Sequence, residues 1–362
     1  MIFDLTKNIF SYLLLISLSL FFGCRNSVST TDAGMLKDTL LDKGIFPIAK
    51  NLTDYQKTDF LPTLQNKISN KKNSIYCATL LFAWDKVKNI IQAPLKIEER
   101  FNDLILLNNS TSYIDVLKEN EYSASGEIHD GLIQAKAEFK KSLPFEIKLT
   151  SFNNKLLFDK SDVASFGNLG KDLEQDFVRD IQISKIIQIL YYKNDDNFII
   201  KLSPKDTCHE IILFKSKEIF TTMGQVISKI EDNIKIGLKE GKNEKLNWKY
   251  FLTVNDDIII PKFKFNIETN YKNIEQNVFQ TNSKKFQIES MWQRTAFCLD
   301  ESGAEIESEA MVAAAMEEED EEKPKPKKMV FDKPFFLMVK RVENKSPYFA
   351  MWTNNSELMI KE

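Results

Sequence analysis

The sequence predicts an α+β fold, and three observations carry that expectation. Hydrophobic residues make up 43% of the 362 and charged residues 28%, the balance of a chain able to bury a large core. From Ile181 onward, β-branched and aromatic runs alternate with clusters of Asn, Asp and Pro, the pattern of strands joined by turns. Apolar positions at helical spacing mark two further segments, 74–91 and 222–238.

Lys7 gives a weakly charged start, and residues 9–22 are almost wholly apolar. That run is short for a spanning helix, which needs about 20 residues, and suits the core of a signal peptide. Gly23-Cys24 follows at once. An apolar core ending in a small residue and then Cys resembles the lipobox of bacterial lipoproteins. The resemblance implies a signal peptide over 1–23 and a lipid on Cys24, which becomes the new N-terminus. A plain signal peptide and an N-terminal anchor helix are the other readings of the run. Residues 24–42 read as a polar tether and 43–362 as the folded domain. Each acyl methylene contributes about 0.8 kcal/mol to membrane attachment, so several chains hold a protein firmly.

Within the domain, 74–91 reads as a helix with Ala78, Leu81, Trp84 and Val87 on one stripe. In 131–145, Leu132, Ile133, Ala135, Ala137 and Phe139 lie among lysines before Pro144, and helix and strand compete. A β-meander follows. Its strands are 186–192, 198–202 and 211–214, split by Lys193-Asn194-Asp195-Asp196-Asn197 and by Pro204-Lys205-Asp206. Residues 222–238 read as a helix. Ile258-Ile259-Ile260-Pro261 begins another strand, in which Phe263, Phe265 and Ile267 alternate with Lys264 and Asn266, giving one buried and one wet face. A short helix over 271–279, a long strand over 286–299, and strands over 331–342 and 348–353 complete the expectation, with the sheet dominant in the C-terminal half.

Several kinds of chemistry are unsupported. The net charge is −3, so no basic field argues for a nucleic-acid partner. Glycine is scarce, and neither GxGxxG nor GxxxxGK[ST] occurs, so no nucleotide cofactor is expected. Beyond Cys24, the cysteines Cys77, Cys208 and Cys298 are widely spaced, with no zinc-type spacing; buried structural thiols are the expectation and no metal is called for. The two histidines are His129 and His209. Cys208 and His209 are neighbours whose side chains point apart in a strand, which argues against a catalytic pair. With no catalytic constellation in view, an enzyme is not expected.

After Leu299 the chain changes character. Glu301-Ser302-Gly303-Ala304-Glu305 leads into small and apolar residues around 310–316, an acidic run over 317–322, and Lys323-Pro324-Lys325-Pro326-Lys327-Lys328. Like charges repel and the prolines favour extended backbone, so 301–328 is expected to be an exposed loop of low order. A helix over 305–316 is the competing reading, since Ala, Met and Glu are strong helix formers. Loops this long inside a compact domain are uncommon and usually functional.

Three stretches, in order, resemble the serpin family of protease inhibitors. Ile260-Pro261-Lys262-Phe263-Lys264-Phe265 is similar to the family's Pro-Lys-Phe strand. Glu301-Ser302-Gly303-Ala304-Glu305 is similar to its hinge. Phe331-Asp332-Lys333-Pro334-Phe335 is similar to the Phe-x-x-Pro-Phe that returns the chain to the core, with Ser346-Pro347-Tyr348-Phe349 in the next hairpin. The resemblance covers roughly 257–353. It implies a serpin-like multi-sheet fold with surrounding helices and an exposed reactive-centre-type loop. It also implies a monomer that meets a serine or cysteine protease, which cuts the loop. The freed segment then inserts as a central strand of an existing sheet, a strand addition within one molecule that releases stored strain. Counting by the family's spacing from Gly303 places the scissile region at Met316, Glu317 and Glu318. With a lipid on Cys24 the expected location is the cell envelope, periplasmic or surface-exposed; without it, outside the cell.

The pattern departs where Ile306-Glu307-Ser308-Glu309 stand in place of small hinge residues. Burying Glu307 or Glu309 unpaired in a sheet costs several kcal/mol, unless strand alternation turns them outward. This favours a second reading, a non-inhibitory serpin-like surface lipoprotein acting as a binding module.

Overall fold

A computed structural model describes residues 46–361, apart from 130–131, 171–176, 254 and 305–325. Residues 44–362 form one compact unit. The fold is α+β, with several sheets and few helices, as the patterning predicts.

The first elements are β1 (Lys50–Asn51), β2 (Thr58–Phe60), β3 (Asn73–Cys77) and α1 (Thr79–Ile91). The helix expected over 74–91 therefore begins only at Thr79. Ser74 to Cys77 pair instead with β2 on one side and the last strand on the other, and β3 is buried along its length. Tertiary pairing overrides local spacing there. Leu81 and Trp84 do face the core from α1, as the stripe predicts.

Then come β4 (Lys96–Ile97), α2 (Asn102–Asn109), β5 (Tyr122–His129), β6 (Leu132–Phe139) and β7 (Leu143–Pro144). The 131–145 ambiguity resolves as strand, because β6 pairs with β5 from Leu132↔His129 to Phe139↔Tyr122. Next are β8 (Thr150–Phe158), β9 (Ser161–Asn168), α3 (Phe177–Ile186), β10 (Ile187–Asn194), β11 (Asn197–Leu202), β12 (His209–Lys215) and α4 (Met223–Glu240). The meander is present, although residues 181–186 belong to α3. Thr222 caps α4 by accepting a hydrogen bond from the Gln225 amide (3.2 Å). Met223, Val226, Ile227, Ile230 and Gly237 form its buried face. A Cβ on Gly237 would lie 2.1 Å from the Leu190 carbonyl oxygen, so only glycine lets α4 lie this close to β10.

The C-terminal elements are β13 (Asp257–Pro261), β14 (Phe263–Asn270), β15 (Val278–Gln280), β16 (Lys285–Gln287), β17 (Trp292–Leu299), β18 (Gly303–Ala304), β19 (Lys328–Val330), β20 (Phe335–Arg341) and β21 (Phe349–Thr353). Three expectations are corrected. Residues 271–277 form turns rather than a helix, because the Tyr271 hydroxyl is drawn to the buried Gln293 side chain and Ile288 N–H bonds the Asn277 carbonyl. That second contact also breaks the 286–299 run into β16 and β17. Asn266 is buried rather than wet: its amide donates to the Pro47 carbonyl (2.9 Å) and its oxygen accepts from Arg294 Nε (2.9 Å).

The strands build a seven-stranded sheet, β10-β11-β12-β20-β21-β3-β2, and a four-stranded sheet, β19-β13-β9-β8. A three-stranded sheet, β1-β14-β17, and the hairpin β5–β6 stand beside them. β12, β3 and β21 are buried end to end, which puts the seven-stranded sheet in the middle of one continuous core. Of the described cysteines, Cys77 is buried, Cys298 is partly buried and Cys208 is exposed, so the expectation of buried thiols holds only for Cys77.

Candidate functional site

β14 and β17 pair in antiparallel register over their whole lengths, from Phe263↔Leu299 to Asn270↔Trp292. Alternation along β17 turns Gln293, Thr295 and Leu299 inward. The Gln293 amide reaches the Thr79 hydroxyl (2.6 Å) and the Cys77 carbonyl (3.2 Å), so the start of β17 is tied to the start of α1. β14 occupies one edge of β17. Among the described residues no strand pairs with the other edge, and β6 likewise pairs with β5 alone. α1 packs against β5, β6 and β17.

The segments that follow β17 and β6 meet. Past Leu299 the chain turns on Asp300, whose carboxylate accepts from Ser302 N–H (2.8 Å) and whose carbonyl accepts from Gly303 N–H (3.1 Å). β18 then pairs with β7 through Gly303↔Pro144 and Ala304↔Leu143. The Ser302 carbonyl accepts from Phe145 N–H (3.0 Å) and the Glu301 carbonyl from Leu149 N–H (2.8 Å). Gly303 has φ +89°, and a Cβ there would lie 2.7 Å from both the Leu143 oxygen and the Phe145 nitrogen. Glycine is therefore required twice over, by conformation and by space.

The three motifs read from the sequence converge on this region. Lys262 of the Pro-Lys-Phe strand holds Glu301 of the hinge, Nζ to Oε2 2.5 Å, and also donates to Ser151 Oγ (2.8 Å). Burial raises the Glu301 pKa, but the Lys262 ammonium outweighs it and the net shift is downward. Phe263 packs against Phe297 and against Phe335 of the return segment, ring centroids 6.4 and 6.2 Å apart, and Phe331 lies 4.9 Å from Phe335.

The described chain resumes at a second anchor. The Lys327 ammonium lies 2.8 Å from Asp256 Oδ2, with both side chains essentially inaccessible to solvent. Asp256 is further satisfied by the amides of Lys327 (2.7 Å) and Thr253 (2.8 Å). β19 then runs parallel to β13.

Of the residues singled out by sequence, Glu301, Ser302, Gly303 and Ala304 thus lie together at the end of β17. Glu305, the scissile candidates Met316, Glu317 and Glu318, and Cys24 lie outside the described residues. Sequence reading missed Lys262 as the partner of Glu301, and the Lys327–Asp256 pair altogether. The bare charge of Lys327 among neighbouring lysines and prolines gave no sign that it is buried. Cys208 and His209 do diverge, the first exposed and the second buried, so they form no catalytic pair. Among the described residues no cluster of metal-ligating side chains occurs, and no helix is long and apolar enough to cross a membrane.

No protein-family model matches the chain, and no curated protein matches it. Solved structures to which it is similar include a thermophilic serpin, tengpin, in the native state (TM-score 0.42, 10% identity, 87% of this chain and 99% of that one). Others are thyroxine-binding globulin in complex with thyroxine (TM-score 0.33, 16% identity, 73% of this chain and 64% of that one) and a tumour-suppressing serpin (TM-score 0.32, 13% identity, 61% of this chain and 55% of that one). The chain thus spans less than two thirds of the length of two of these three.

Proposed function

We propose that the chain is a serpin-like inhibitor of a serine or cysteine protease, acting by cleavage and insertion of the segment that follows β18. The observation that carries this reading is the pair of strand edges. β17 gives rise to the segment and offers one edge; β6 offers the other; both rest on α1 and are joined at one end by β7–β18. A strand entering there would gain backbone partners on both sides. In the proposed reaction the protease nucleophile attacks a loop carbonyl, the new amino terminus leaves, and the acyl-enzyme travels with the inserting strand before water can release it. Met316, Glu317 and Glu318 are the proposed region of the cut. Acylation at Cys24 would hold the inhibitor at the envelope, where it meets secreted or host proteases.

The test is incubation of the intact protein with a panel of serine and cysteine proteases. An SDS-resistant complex is expected, as is a large rise in melting temperature after cleavage between residues 305 and 325. Cleavage with neither result would refute inhibition. It would favour the binding-module reading, which Glu307 and Glu309 support because an unpaired carboxylate resists burial in a sheet. Mass measurement of the mature N-terminus, with and without Cys24→Ala, tests the lipid separately.

A further inference from the structure

His209 opens β12, and its side chain is completely buried. Its Nε2 lies 3.0 Å from Glu121 Oε1, and its Nδ1 lies 3.2 Å from the Tyr348 hydroxyl. An ionised carboxylate can only accept, so Nε2 carries the imidazole hydrogen and Nδ1 accepts from Tyr348.

Glu121 immediately precedes β5, and it gathers several elements at once. Its second oxygen accepts from Arg341 Nη1 on β20 (2.7 Å) and from the Lys118 amide (2.8 Å), while the Lys141 ammonium, just past β6, joins its first oxygen. One carboxylate thereby fastens both chain ends of the β5–β6 hairpin to β12 and β20. The hairpin end makes a further contact through Phe139, whose ring meets Tyr348 edge-on at 5.4 Å. The hairpin carries the unpaired β6 edge. The hairpin is otherwise half exposed and rests on α1, whose Phe82 stacks on Tyr122 at the same open end at 4.2 Å.

The charged and titratable groups around the imidazole come from every element packed on it. Glu121 and Lys141 come from the hairpin ends. Asp206 comes from the turn before β12, its carboxylate 3.6 Å from Nε2, and Tyr348 lies at the start of β21. Behind Glu121 stands Arg341, itself paired to Glu343 (2.8 Å). Protonation of Nδ1 removes the acceptor that Tyr348 uses and adds a buried cation beside Lys141.

We propose that His209 is a proton-operated latch that holds the open end of the β5–β6 hairpin against the seven-stranded sheet at neutral pH and releases it on proton uptake. Burial first, and Lys141 second, push the imidazole pKa down, with Glu121 and Asp206 opposing. The open hairpin, with its imidazole in water, therefore takes up the proton before the closed one. The hold is complete above the ordinary imidazole value of about 6.5 and weakens as the pH falls below it. Glu121, held near pKa 2, stays ionised throughout that range. The latch deepens the insertion reading, since β6 is one wall of the proposed insertion site.

Hydrogen exchange of the intact chain, corrected for the intrinsic rate, tests it at pH 7.5 and 5.5. Opening of 122–139 is expected to rise severalfold at the lower pH and by no more than about tenfold, the limit set by proton uptake on an open-state imidazole of ordinary value, about 6.5. Exchange in α4 should stay unchanged, and His209→Gln should abolish the pH difference. No rise in the wild type, or a rise of equal size in His209→Gln, overturns the proposal. Should that variant not fold, imidazole titration of the wild type by NMR decides, with His129→Gln assigning the resonance: a midpoint below 6.5 supports the latch, and one at or above 6.5 overturns it. The measurement involves no protease, so the latch and the inhibitor reading can fail independently.

Discussion

Glu301 and Lys262 form an ion pair at 2.5 Å that fixes the turn leaving β17 to the junction of β13 and β14. It links two of the sequence motifs, and both partners are largely shielded from solvent. Glu301→Lys puts two ammonium groups in contact there. A loss of about 2 kcal/mol is expected, less than for a wholly buried pair because some water reaches it. Urea denaturation checks the loss, and the exchanged pair Lys262→Glu/Glu301→Lys should recover part of it. Because the Glu301 pKa is lowered on folding, its contribution is complete above the ordinary carboxyl value of 4.5 and declines as the pH falls through the folded value.

Gly303→Val should unhitch β18 from β7. A side chain at φ +89° is strained, and its Cβ meets two backbone atoms at 2.7 Å. A cost of about 1–3 kcal/mol is expected. Faster amide exchange at Phe145 and Leu149, whose N–H groups bond Ser302 and Glu301, would locate the damage.

Lys327→Met alone leaves the buried Asp256 carboxylate without its cation and should cost about 3–5 kcal/mol. Adding Asp256→Leu removes the orphaned charge, and the double variant should regain most of the lost stability. A double variant no more stable than Lys327→Met would show that the site depends on backbone contacts to Asp256 rather than on the pair.

Acid should weaken the protein through Glu121. Burial raises this carboxyl's pKa, but the Lys118 amide and the Lys141 and His209 side chains together lower it from 4.5 to about 2. A depressed carboxyl stabilises fully above its unfolded value and loses that contribution between about pH 4.5 and 2. Glu121→Gln should therefore melt well below the wild type at pH 7, and the gap should narrow toward pH 2.

Thiol labelling should rank the cysteines by access. Cys208 is expected to react within the native protein, Cys298 more slowly, and Cys77 only on unfolding. Native-state labelling of Cys77 at the rate of Cys208 would contradict the burial of β3.

Much of the strand inventory was legible because alternation is a local signal: Phe263, Phe265 and Ile267 face the core as their spacing says. The helix over 222–238 was legible for the same reason, with Thr222 as its cap. Failures fell where distant partners decide. Ser74 to Cys77 carry helical spacing yet lie between β2 and β21, and Asn266 looks like a surface residue until Pro47 and Arg294 satisfy it. Glu121 is one of many acidic residues in the sequence, and nothing near it announces a link to His209 and Arg341.

By itself the sequence determined the order of the strands' core-facing residues, the glycine at the turn after β17 and the changed composition beyond it, because each depends on a few neighbouring residues. The tertiary structure alone decided which strand edges stay unpaired, which lysines are buried, and which carboxylate receives them. Those outcomes follow from register between segments far apart in the chain, where a charge is stabilised only by the partner that folding brings to it.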